Sequence, residues 1–84
     1  MQSKQQSTRD RPLTAQERHI ASAVRLALND SGHLSLRRLG VAVHGDDVIL
    51  TGTVSTYYLK QKAHRLAMRT NGVRTVTDDI DVTR

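Results

Sequence analysis

The apolar residues of this chain change their period along its length, from helical to alternating and back, and that switching limits which folds the chain can adopt. Ile20, Ala23, Val24, Ala27 and Leu28 recur at three- and four-residue spacing, which gathers them on one face of a helix. Thr14-Ala15-Gln16-Glu17 fits a capping box, in which the Thr hydroxyl and the Glu carboxylate satisfy free backbone donors of the first turn, so the helix is expected to begin at about Ala15. Asn29-Asp30-Ser31-Gly32 supplies its stop, and Leu26 falls off the stripe toward solvent. After an expected loop over His33 to Arg38 the period becomes two. Leu39, Val41 and Val43 then oppose Gly40, Ala42 and His44.

Gly45-Asp46-Asp47 is turn chemistry, so a hairpin is expected, with a second strand from Val48 to Val54. Val48, Leu50 and Val54 face its core side, with Gly52 among them, and Ile49, Thr51 and Thr53 face away. A glycine inside a strand points to a bulge or a close approach, here expected from the following helix. That helix is expected to start at Ser55, an N-cap residue type, to bury Leu59, Ala63, Leu66 and Ala67, and to stop at Asn71-Gly72. A last strand over Arg74 to Val82 sets Val76, Ile80 and Val82 against Thr75, Thr77, Asp79 and Asp81, with Asp78 interrupting its apolar face. The order helix, strand, strand, helix, strand predicts an α/β (α+β) two-layer sandwich with two helices on one face of a three-stranded mixed sheet. The second and third strands, joined through a helix, are expected to be parallel.

Composition narrows the function. Eighty-four residues hold one small domain, and 20 Leu, Ile and Val with no Phe make a modest core. Residues 1–13, polar and rich in Gln and Ser, read as a disordered arm ahead of a domain over 14–84. Zero Cys excludes disulfides, iron–sulfur clusters and thiolate zinc sites. The four histidines His19, His33, His44 and His64 include no pair at i, i+4, and Asp78, Asp79 and Asp81 have no loop to wrap an ion, so no metal or cofactor is expected. Without a G-x-S-x-G elbow, a phosphate-cradling glycine loop or a convergent polar cluster, the chain is not expected to be an enzyme. No stretch approaches the ~18 apolar residues of a spanning helix, and the opening lacks the apolar region of a secretory signal, so the chain as written reads as cytoplasmic.

The net charge is +5, and it is concentrated. Residues 48–77 carry Lys60, Lys62, Arg65, Arg69 and Arg74 and no acid. On the second helix Tyr58, Lys62, Arg65 and Arg69 share one flank at spacings of 4, 3 and 4, while Tyr57, Gln61, His64 and Met68 line the face opposite the buried stripe. Cations beside exposed Tyr and Met suit a membrane interface, the charges meeting anionic headgroups and the apolar groups entering the acyl boundary. From the residues alone a plainly solvated helix face is the alternative. Nucleic acid is the weaker competitor: any basic face binds phosphate nonspecifically, but there is no GxxG loop and no aromatic stacking platform. A protein partner or a second copy, pairing through the Ile49 face of the sheet or a free edge, is the third reading.

The segment VAVHGDDVILTGTV (Val41 to Val54), a helix carrying Ala63 and Ala67, and NGVRTVTDDIDV (Asn71 to Val82) together resemble the BON domain, the bacterial OsmY and nodulation domain. The likeness rests on the Gly45 turn, on Val48-x-Leu50-x-Gly52-x-Val54 and on Gly72-Val73-x-x-Val76, and spans about Thr14 to Val82. It implies two helices packed on a three-stranded mixed sheet, and a non-enzymatic binding module of the cell envelope for which attachment to phospholipid membranes is the usual proposal. Two features depart from the common pattern: no signal peptide is present, and there is one unit where tandem copies are frequent. The first leaves the envelope location to the resemblance alone.

Overall fold

The computed structural model describes residues 12–83. Its elements run α1 (Ala15–Asn29), α2 (Leu34–Arg37), β1 (Gly40–His44), β2 (Asp47–Val54), α3 (Tyr57–Met68) and β3 (Thr75–Val82). The arm expected over residues 1–13 lies outside the described residues as far as residue 11. Pro12 and Leu13 are exposed and belong to no helix or strand.

The sheet has the order β1-β2-β3, with β1 antiparallel and β3 parallel to β2. The hairpin turn joins the first pair and the α3 crossover joins the second, as the parallel geometry requires. α1 lies over β1, α3 lies over β3 and β2, and the two helices touch. Between the layers sit Ile20, Val24 and Leu28 of α1, Val43, Val48, Leu50, Val54 and Ile80 of the sheet, and Ala63 and Ala67 of α3, with Leu36 and Leu39 closing one side. The other face of the sheet is left to solvent, where Ala42, Thr51, Thr53, Thr75, Thr77, Asp79 and Asp81 are exposed. The architecture is the expected α+β sandwich.

The capping box forms: Thr14 N donates to Glu17 Oε1 at 2.9 Å and Glu17 N donates to Thr14 Oγ1 at 3.1 Å. Glu17 is also buried, and its Oε2 accepts from Gly45 N at 2.7 Å, which ties the start of α1 to the hairpin turn.

Four local expectations are corrected. The loop over His33 to Arg38 contains the helical turn α2, because Leu36 is drawn fully into the core and Arg25 of α1 holds the turn's end by donating to the carbonyls of Arg37 and Leu39 at 3.1 and 2.8 Å. The N-cap of α3 is Thr56, whose Oγ1 accepts from Leu59 N at 3.2 Å, because Val54 still pairs with Val82 and keeps Ser55 in the connection. The neighbour of Gly52 is Leu39 and not a helix: Gly40 pairs with Thr51, so Leu39 falls across Gly52, where a Cβ would lie 2.9 Å from Leu39 Cδ2. On the open edge strand β3, Val82 is exposed and Val76 half-buried, so Ile80 alone of the three expected core residues is fully enclosed.

Candidate functional site

α3 exposes one side because its buried stripe is narrow. Alanines at 63 and 67 let the helix sit close to the sheet, and Leu59 and Leu66 flank them half-buried. On the far side Arg65 and Arg69 are exposed, and Lys62 is half-buried, the disposition of a long chain laying its stem on the surface. Tyr58, on the same flank, is 59% exposed and meets the ring of His33 edge-on, with centroids 6.3 Å apart and planes at 77°. That contact brings the segment before α2 against the first turn of α3. Tyr57 and Met68 are 63% and 41% exposed. α3 carries no acidic side chain, so nothing on the helix itself neutralises its cations.

His64 departs from its expected place. It is not on the solvent face with Gln61 and Met68 but leans against β3, its Nδ1 2.9 Å from Asp78 Oδ2. Asp78 pairs in register with the buried Leu50, so its side chain is on the core face of the sheet, under α3. The second carboxylate oxygen, Oδ1, is buried and meets no hydrogen-bond donor. Above the pair lies a hollow of about 290 Å³ lined by Tyr57, Lys60, Gln61, His64, Arg65 and Asp78. Periodicity alone did not find this constellation. Its signal was the lone carboxylate at a core-facing position of β3.

Arg74, also in the basic stretch, is engaged elsewhere: its Nε is 3.2 Å from Asp46 Oδ2 in an exposed pair across the hairpin turn. Asp47 accepts from the Thr75 hydroxyl. The two layers thus differ in sign at their surfaces. Arg18 of α1 and Arg65 and Arg69 at the outer flank of α3 are exposed on the helical side, and Asp79 and Asp81 on the outer face of the sheet. Among the described residues there is no cluster of three or more His, Asp or Glu suited to a metal ion, and no helix is long and apolar enough to cross a membrane.

The elements form a helix–turn–hairpin–helix–strand sandwich with a basic outer helix. The BON domain model matches residues 16–84, and the chain belongs to the BON domain family. Membership carries a non-enzymatic, binding-type module. No curated protein matches the chain.

Proposed function

We propose that the domain attaches peripherally to membrane surfaces rich in anionic phospholipid, with α3 as the contact. Lys62, Arg65 and Arg69 meet headgroup phosphates, Tyr58 lies beside them, and Tyr57 and Met68 enter the acyl boundary. The observation that carries this reading is the exposure of two tyrosines and a methionine on an acid-free helix whose Lys62 and Arg65, with Arg69 at its C-cap, share the flank of Tyr58. A helix serving solubility alone gains nothing from large exposed apolar groups. Envelope membranes are the surface this reading favours, in keeping with the BON family.

Basic residues near an anionic surface contribute about 1 kcal/mol each. Replacing Lys62, Arg65 and Arg69 together by Gln is therefore expected to weaken co-sedimentation with phosphatidylglycerol-containing liposomes by roughly a hundredfold. Binding that grows with anionic-lipid fraction and collapses in this variant supports the assignment. Binding unchanged by the triple substitution overturns it.

A further inference from the structure

The hollow between α3 and β3 is built differently from the exposed flank. Lys60 and His64 are four residues apart, as are Gln61 and Arg65, so the four side chains form two adjacent rows on the helix, with Tyr57 one turn earlier. All five can donate hydrogen bonds, and Lys60, Arg65 and a protonated His64 carry positive charge. Among the described residues the only acid in the lining is Asp78, whose Oδ2 lies 2.9 Å from His64 Nδ1 and whose Oδ1 is out of reach of solvent. With Nδ1 turned to Asp78, Nε2 is the nitrogen left for the hollow. A cation would find a single reachable carboxylate oxygen, already engaged by His64, and an apolar ligand would desolvate two formal charges. Converging donors around an open concavity fit a tetrahedral oxyanion.

From this geometry we infer that the hollow is a phosphate-binding site, seating one phosphate group between Lys60, His64 and Arg65 with Gln61 and Tyr57 at its rim. Asp78 does not touch the anion; it orients His64. The site is distinct from the proposed membrane contact and shares with it Arg65 and, at the rim, Tyr57. The group it takes can arrive on a soluble phosphomonoester or on a lipid headgroup, and the chemistry of recognition is the same.

Sulfate is the probe, a tetrahedral oxyanion of fixed charge near neutral pH. Titrating millimolar sulfate into ¹⁵N-labelled protein at constant ionic strength is expected to give saturable amide shifts confined to Tyr57 through Arg65 and Asp78. His64→Gln and Lys60→Gln should each weaken binding about tenfold, the consequence of losing one charge-assisted contact, while both variants keep the native amide spectrum elsewhere. Shifts spread equally over Arg18, Arg37, Arg38 and Arg74, or affinity indifferent to His64 and Lys60, would overturn the site. Vesicles distinguish the sources. A Lys60→Gln/His64→Gln protein that loses sulfate yet still sediments with phosphatidylglycerol liposomes supports a separate site, and one that loses both equally overturns that separateness. Saturable sulfate binding by native protein that ignores liposomes supports the site while removing the membrane reading.

Discussion

Glu17 sends its two carboxylate oxygens to different parts of the chain, one to its own helix start and one to Gly45 in the hairpin turn. Losing a cap costs about 1 kcal/mol, and leaving a partly buried donor unpaired costs about as much again or more. Glu17→Ala is therefore expected to destabilise the domain by about 2–3 kcal/mol. In a domain of this size that lowers the melting temperature by at least ~8 °C. Calorimetry of the variant would show it, and a midpoint within a degree or two of the native value would mean that the turn contact carries no weight. The capping role of this residue was legible, because a capping box is a local pattern. Its second bond was not, since nothing in the sequence around Glu17 refers to a turn 28 residues away. His64 and Asp78 divide in the same way. The parity of β3 put Asp78 on the apolar side, but its partner sits at the border between the buried and exposed faces of α3, where a helical period cannot choose.

At the scale of elements, α1, α3 and the hairpin follow from periodicity because each has enough residues to repeat a pattern. α2 does not: four residues make one turn, and what holds it is the burial of Leu36 and the guanidinium of Arg25 reaching over from α1. The start of α3 shows tertiary structure choosing between two equally good local signals. Ser55 and Thr56 are both N-cap residue types, and the pairing of Val54 with Val82 passes the role to Thr56. Thr56→Ala is expected to cost about 1 kcal/mol in urea denaturation and Ser55→Ala less than about 0.5 kcal/mol. The reverse order would put the cap one residue earlier. Gly52 likewise has φ +134° and Leu39 against it, a combination that only the fold, and not the strand's own alternation, explains.

Across the whole molecule the helices and the outer sheet face oppose each other in charge, which the linear charge map showed only as a basic middle and an acidic end. On the proposed membrane reading the domain lies helices down, with Asp79 and Asp81 a layer away from the lipid. Charges separated by more than a Debye length, about 10 Å at 0.1 M salt, are largely screened. Asp79→Lys/Asp81→Lys is accordingly expected to change liposome binding by no more than about twofold, although it moves the net charge by as much as larger edits of α3 do. Raising salt toward 1 M, where the Debye length is about 3 Å, should release the domain. Tighter binding of the double-lysine variant, comparable in size to the loss in the α3 triple variant, would show that bulk charge and not the helical face governs attachment.

The link from Glu17 to Gly45 also bears on how the domain comes apart. A helix cap is ordinarily retained by its helix in isolation, but here the same carboxylate closes the hairpin, so fraying of α1 and opening of the turn become one event. The Gly45 amide is then a built-in gauge of cooperativity. Its hydrogen exchange should be slow for a turn and should accelerate in Glu17→Ala together with that of Val24 in mid-helix. Fast exchange at Gly45 in the native domain, with Val24 still protected, would mean that the first helix and the hairpin breathe separately.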